Sequence, residues 1–191
     1  MLALIFALFI FLFFKLKNKF YQGAFLGFIL YSLFFTSLKD YFFQIFHDLF
    51  FPISSHLTSS LAIRGLQWQE TFSLLKEHWF FGAGLNGYQS LMAQYHQISW
   101  LEIFLYPHNI FLNFWVELGL AGLLLFLVFI YLISRNLKIL FLKKHYLAWP
   151  LCLTWLVIFI HGLVDVPYFK NDLSVLFFIL LALTIVSLQD E

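Results

Sequence analysis

The sequence predicts an all-α, polytopic integral membrane helix bundle of about five spans, with a large, partly helical extracytoplasmic loop. Of its 191 residues, 62% are hydrophobic and 23% aromatic, and only 11% are charged. The mean hydropathy is +0.88. A soluble domain carries roughly 25% charged residues. Apolar segments near the length of a membrane crossing also recur along the chain, so the composition excludes an ordinary soluble domain.

Five apolar segments are expected to cross the membrane, given about 20 residues of helix per crossing. They cover residues 2–14, 20–38, 110–133, 146–163 and 173–188. The first segment is short, but no basic residues precede it and no small-residue cleavage site follows it. We therefore interpret it as the tail of a membrane helix rather than a signal peptide. The expected organisation is two membrane helices in 1–38, an extracytoplasmic loop in 39–109 and three membrane helices in 110–188.

The basic residues predict the orientation of these segments. Three lysines lie between the first and second segments, and four basic residues lie between the third and fourth. Lysine- and arginine-rich short loops stay in the cytoplasm, so the 39–109 loop should face outside and the carboxyl terminus should lie inside. An odd number of spans places Met1 outside. Since no signal accompanies that start, we expect further helices upstream.

The 39–109 loop is longer than an ordinary linker and is expected to fold. Residues 60–79 show the spacing of an amphipathic helix, which we expect to lie on the membrane or on the bundle. After it, Gly82 and Gly84 predict a tight turn with close backbone approach, and 88–97 a second short helix. The predicted apolar stripe of the first helix comprises Leu61, Trp68, Phe72, Leu75 and Trp79, and its polar positions are Gln67, Glu70, Ser73, Lys76 and Glu77.

Arg64 falls on the predicted apolar stripe, where a guanidinium needs an anion. One interpretation is that it reaches lipid phosphates or pairs with a nearby acid such as Asp48. The other is that it holds the diphosphate of a lipid-linked substrate, because a planar bidentate donor suits that group.

His108 lies at the mouth of the third predicted span. After it, Asn109, Asn113 and Glu117 recur every four residues and share one helix face, which should meet the bundle interior or a water-filled cavity. A histidine there is suited to take a proton from an acceptor hydroxyl at neutral pH. The alternative is purely structural: Pro107 starts a turn, Asn109 caps the helix and His108 is an interfacial ring.

His161 and Asp165 stand four residues apart at the outer end of the fourth span. A ring proton donated to the carboxylate would fix the histidine tautomer, although a pair that only terminates the span is equally compatible with the pattern. Lys170 follows and is available to meet an anion. The predicted topology places these residues on the same outer side as Arg64 and His108.

Metal and nucleic-acid functions are not expected. The chain has a single cysteine, Cys152, and no two-histidine helical pattern with a nearby carboxylate, so the sequence predicts no metal site. Basic residues do not cluster with aromatic residues in a polar segment, and the net charge is only +1. Nothing therefore points to a nucleic-acid partner.

Several short motifs together resemble the O-antigen ligase and polymerase family of bacterial envelope glycosyltransferases. They are the segment from Arg64 to Trp68 and the runs 81–84 (FGAG), 107–109 (PHN), 117–119 (ELG) and 161–165 (HGLVD). The resemblance covers about residues 60–188 and corresponds to the carboxyl-terminal part of that family, whose members usually carry many more amino-terminal helices.

The resemblance implies a multi-pass enzyme of the bacterial inner membrane that works without a cofactor or metal. Its donor would be a glycan on undecaprenyl diphosphate, and its acceptor a hydroxyl on another glycan, a lipid core or a protein, with membrane lipids around it. Arg64 would bind the diphosphate and His108 would activate the acceptor. The other implied substrate-binding residues are Asn109, Asn113, Glu117 and Lys170, and the implied supporting residues are Gly82, Gly84, His161 and Asp165.

Alternative functions stay open at this point. In a non-catalytic membrane subunit or a transport-type bundle, the polar row of Asn109, Asn113 and Glu117 would line a permeation path or a partner interface. An inactive truncated relic is a further alternative. Ligation, polymerisation and protein glycosylation share the same motifs, so the sequence does not separate them.

Overall fold

The computed structural model describes residues 8, 11–13, 15–16, 19, 22–27, 43, 46–47, 60–168 and 171–189, with 171 and 172 by backbone alone. All regular secondary structure among these residues is helical, which confirms the predicted class for this part of the chain. Two compact units, Met1–Gln69 and Glu70–Glu191, divide the chain. The predicted spans 2–14 and 20–38 lie largely outside the described residues.

Five helices are bounded in the structure: α1 (Ser60–His78), α2 (Tyr88–Met92), α3 (Ile110–Leu142), α4 (Ala148–Gly162) and α5 (Asn171–Val186). Among the described residues, α3 alone is long and apolar enough to cross a membrane. α4 and the Leu173–Val186 part of α5 are shorter apolar helices. The total of about five spans stays a prediction.

The helix boundaries follow local sequence signals. α3 begins at the predicted residue because the Asn109 side chain caps it, accepting from the backbone N–H groups of Phe111 and Leu112 at 3.0 and 3.1 Å. It continues past the predicted end at 133, since Arg135 and Lys138 favour helix as much as the apolar residues before them. α2 is shorter than the predicted 88–97.

The core of the carboxyl-terminal helices lies where α3, α4 and α5 pack together. Trp155 of α4 is buried there, and its indole N–H donates to the Thr184 hydroxyl on α5 at 2.9 Å. Phe129 of α3 stacks on Phe177 of α5 with ring centroids 5.6 Å apart. Such packing with an interhelical hydrogen bond is typical of membrane bundles and holds the amino end of α3 beside the end of α4.

The side chains of the predicted apolar stripe of α1 differ in burial, and their placement against the membrane stays a prediction. Leu75 is buried as expected, but Phe72 and Trp79 are exposed, whereas Glu70 and Thr71 are buried. The polar side chains have partners: Thr71 Oγ1 lies 2.8 Å from the Tyr88 hydroxyl, and the Glu70 carboxylate accepts from the Gln97 backbone N–H at 2.9 Å. Satisfied polar groups can be buried, and the apolar side chains are displaced outward.

Candidate functional site

The long helix α3 is interrupted near its amino end, where Gly119 has φ 67° and ψ −166°. The turn after α1 fills this break. The Leu120 N–H donates to the Phe80 carbonyl at 3.0 Å, and the Ala83 N–H donates to the Val116 carbonyl at 2.5 Å. In an unbroken helix, Leu120 would bond to Val116. The turn therefore supplies a new partner to each group, and the break leaves neither of them orphaned.

Two glycines make this contact possible, and we call the contact the glycine interlock. A Cβ on Gly82 would lie 2.1 Å from the Val116 carbonyl oxygen, and one on Gly119 would lie 2.0 Å from that of Phe80. Both glycines have positive φ, at 69° and 67°. The predicted tight turn with close backbone approach is thus observed. Its partner is α3 itself, so the FGAG and ELG motifs form one structural feature.

His108 and Asp165 form a hydrogen-bonded pair at the amino end of α3. Their Nδ1 and Oδ1 atoms are 3.2 Å apart although the residues are 57 positions apart in sequence. Both side chains are largely buried, and the rings of Phe104 and Tyr106 contact the imidazole with centroids at 5.2 and 4.6 Å. The His108 backbone has φ 44°, an uncommon conformation for a non-glycine residue that concentrates at functional sites.

The Asp165 side chain is held by the backbone of the next residue as well as by His108. Its Oδ1 accepts from the Val166 N–H at 2.8 Å. His161 Nε2 lies 3.8 Å from Oδ2, which is ion-pair range but too long for a hydrogen bond. Of the two predicted alternatives for His161, the geometry agrees with a pair at the end of the span without a hydrogen bond. The imidazole that is hydrogen-bonded to Asp165 is His108, in the loop before α3.

The polar row of α3 is bound to two other segments, the connection between α4 and α5 and the turn after α1. Asn109 donates from Nδ2 to the Leu163 carbonyl at 2.9 Å, so one side chain both caps α3 and ties it to the end of α4. Asn113 is fully buried and donates to the Tyr168 hydroxyl at 2.8 Å, while its Oδ1 is buried with no hydrogen-bond partner in the part of the chain that the structure describes. Glu117 is half-buried and accepts from the Asn86 backbone. The predicted inward orientation of the row is confirmed at Asn113.

Tyr168 was not predicted as a site residue from the sequence. The signal that could have indicated it is its position three residues after Asp165. Burial raises the pKa of its phenol to about 12; the hydrogen bond from Asn113 opposes that shift and the charge of Glu117 adds to it. The hydroxyl therefore stays protonated at neutral pH and can both accept and donate a hydrogen bond.

Arg64 belongs to the first unit. Its Nη1 donates to the Ser60 hydroxyl at 3.1 Å and to the Ser60 carbonyl at 3.3 Å. Among the residues that the structure describes, its buried Nε has no hydrogen-bond partner. Asp48, its predicted alternative partner, and Lys170, the second predicted cation, lie outside the described residues.

The comparisons with known proteins cover part of this site. The family model described as O-antigen ligase (Wzy_C) matches residues 1–127, and the comparison with curated proteins found no match. The matched part contains His108, Glu117 and both glycines of the interlock and ends within α3, so His161 and Asp165 lie beyond it. The match confirms the resemblance found in the sequence. Because it covers more than half of the 191 residues, this chain belongs to the O-antigen ligase family of membrane glycosyltransferases and ligases.

Proposed function

We propose that this chain transfers a glycan from an undecaprenyl-diphosphate carrier to an acceptor hydroxyl at the outer face of the bacterial inner membrane. Family membership supports glycan transfer in general. The observation that carries the more specific proposal is the His108–Asp165 pair, with 3.2 Å between Nδ1 and Oδ1. A histidine oriented by a carboxylate is suited to serve as a general base towards a hydroxyl.

The proposed reaction uses the second nitrogen of the His108 ring. When Nδ1–H donates to Asp165, the Nε2 lone pair accepts the proton of the acceptor hydroxyl. The hydroxyl oxygen then bonds to the anomeric carbon of the donor sugar, and the bond from that carbon to the diphosphate oxygen breaks. The carrier diphosphate leaves with the electron pair. The Asp165 carboxylate stabilises the imidazolium that forms.

The leaving diphosphate needs cationic hydrogen-bond donors, and we propose Arg64 for this role. A buried N–H without a partner costs roughly 1–3 kcal/mol, and Arg64 Nε is such a group. A diphosphate oxygen would satisfy it and use the planar geometry of the guanidinium. Lys170 is proposed as a second cation on the strength of its place in the sequence.

The contacts of the polar row distinguish the residues that position α3 from the residue that we propose to bind substrate. Asn109 already makes three hydrogen bonds, two accepted and one donated. It therefore positions the amino end of α3, as Asn113 does through Tyr168. Glu117 is only half-buried, and we propose that its carboxylate binds hydroxyls of the acceptor.

The remaining proposed supporting residues hold the scaffold. Gly82 fixes the turn against α3, and Gly84 gives that turn a second positive φ, of 82°. His161 lies in ion-pair range of Asp165 and adds to the electrostatic setting of the pair. Full burial of Asn113 in the middle of the polar row supports a structural role for this residue over a place on a transport path.

The proposal is tested by glycan transfer in membranes that contain the full chain and a lipid-linked donor. His108→Ala should lower transfer by about 10²–10⁴-fold, the usual effect of removing a general base. His96→Ala is a matched control, because its Nδ1 also lies 3.0 Å from a carboxylate, that of Glu70, in a different part of the loop. This control should transfer normally. Normal transfer by His108→Ala, or none by the unaltered chain, would contradict the proposal.

A further inference from the structure

The turn at residues 79–85 exposes an unusual concentration of large apolar side chains. Relative exposure is 51% for Trp79, 53% for Phe80, 81% for Phe81 and 75% for Leu85. Isolated exposed apolar residues are ordinary, but a contiguous group of this kind marks a surface that another apolar phase covers. We call residues 79–85 the aromatic turn.

The aromatic turn is fixed to the side of α3 at a defined height. The Trp115 indole N–H donates to the Trp79 carbonyl at 2.7 Å. The glycine interlock adds the bonds of Leu120 to Phe80 and of Ala83 to Val116. All three contacts join the turn to residues 115–120 of α3, so the depth of that segment in the bilayer sets the depth of the turn.

The length of α3 defines this depth. After the break at Gly119, residues 120–134 extend roughly 22 Å at about 1.5 Å per residue, which is less than the roughly 30 Å thickness of the hydrocarbon core. Residues 118–134 carry no charged side chain, and Arg135 follows directly. A charge is costly within the core, so the core ends near Arg135, and its other boundary lies beyond Leu120, close to the break at Gly119. Leu120, which bonds to Phe80, therefore lies inside it.

Two further features agree with this depth. Trp79 and Trp115 are joined by a hydrogen bond near this boundary of the hydrocarbon core. Tryptophan is enriched at such boundaries in membrane proteins. Within the same charge-free stretch of α3, Leu118, Leu124 and Leu125 are exposed and face the surroundings of the helix. The aromatic turn continues this apolar surface at the depth of Leu118.

We propose that the aromatic turn is inserted into the bilayer, in the leaflet that surrounds the amino end of α3, and that lipid acyl chains cover Phe80, Phe81 and Leu85. The turn thus anchors the loop to the membrane at a second place and holds the mouth of α3, with His108, near the headgroups. This proposal goes beyond glycan transfer and does not depend on it.

The test places single cysteines at three exposed positions of the full chain, with the lone Cys152 replaced by alanine. Phe81→Cys probes the turn. Leu125→Cys, at a residue 69% exposed within the charge-free stretch, is the membrane control, and Leu105→Cys, at a residue 56% exposed in the loop before α3, is the aqueous control. The proteins are reconstituted in phosphatidylcholine nanodiscs, in which both membrane faces are accessible, and treated with a membrane-impermeant maleimide.

Phe81→Cys should react like Leu125→Cys and at least about tenfold more slowly than Leu105→Cys, because the acyl region excludes the reagent. A bimane on the same cysteine should be quenched by lipids that carry a nitroxide on the acyl chain. Leu85→Cys serves as a second probe if Phe81→Cys does not accumulate. Reaction at the rate of Leu105→Cys would overturn the proposal. Disulfide-linked dimers of Phe81→Cys would also overturn it, since a second copy would then cover the turn.

Discussion

Replacing Gly119 with alanine should strongly destabilise the protein, because the glycine interlock leaves no space for a side chain. The backbone at φ 67° and ψ −166° lies in a region that is essentially restricted to glycine and costs other residues about 1–3 kcal/mol. The new Cβ would stand 2.0 Å from the Phe80 carbonyl oxygen, so the turn must withdraw. Withdrawal removes two backbone hydrogen bonds, each contributing about 0.5–1.5 kcal/mol. The expected total loss is about 2–6 kcal/mol.

The assay is equilibrium unfolding in mixed micelles, in which the free energy of unfolding is compared among glycine-to-alanine variants. Gly84→Ala is the first control, since Gly84 has φ 82° but nothing within 4 Å of a Cβ, and it should lose only about 1–2 kcal/mol. Gly27→Ala is the second, because Gly27 is helical and no described residue comes within 4 Å of a Cβ there, so the change should be neutral or stabilising by up to about 1 kcal/mol. If Gly119→Ala and Gly84→Ala lose the same free energy, the interlock as described is refuted.

Substitutions at three further residues test single contacts. The Tyr168 pKa is raised from 10.0 to about 12, so the folded state favours the neutral phenol and the free energy of unfolding should fall between pH 10 and 12. In Tyr168→Phe, the free energy of unfolding should fall less steeply with pH over this range. Asn109→Ala should cost about 0.5–2 kcal/mol of unfolding free energy through its lost cap, whereas Asn109→Asp keeps the cap acceptor and loses only the bond to Leu163. Thr71→Val removes the hydroxyl that lies 2.8 Å from the Tyr88 hydroxyl and should lower the unfolding free energy by about 0.5–1.5 kcal/mol, the usual contribution of one hydrogen bond; an unchanged value would contradict a stabilising role for this bond.

Features that depend on neighbouring residues were predictable from the sequence. The all-α class follows from composition and from the repeated apolar segments, and the start of α3 follows from the asparagine that caps it. The glycine pair at 82 and 84 likewise predicts a turn wherever it occurs. Each of these signals acts within a few residues, so tertiary structure did not override it.

Features that join distant segments were not predictable from one sequence. The sequence indicated close backbone approach at Gly82 but not that α3 opens at Gly119 to receive it. The spacing of four residues favoured His161 as the partner of Asp165, but a loop histidine 57 positions away forms the hydrogen bond. The burial of Glu70 on α1 depends on a hydrogen bond from Gln97, which helical periodicity does not reveal.

The most direct test of the central claim is a double-mutant cycle on the His108–Asp165 pair, with the rate of glycan transfer measured in membranes at equal protein levels. If Asp165 acts through the histidine, His108→Ala, Asp165→Ala and the double variant should all lose transfer to a similar extent, because residues that act as one unit are not additive. Independent, multiplying losses in the double variant, or full transfer by either single variant, would contradict the assignment of this pair as the proton acceptor.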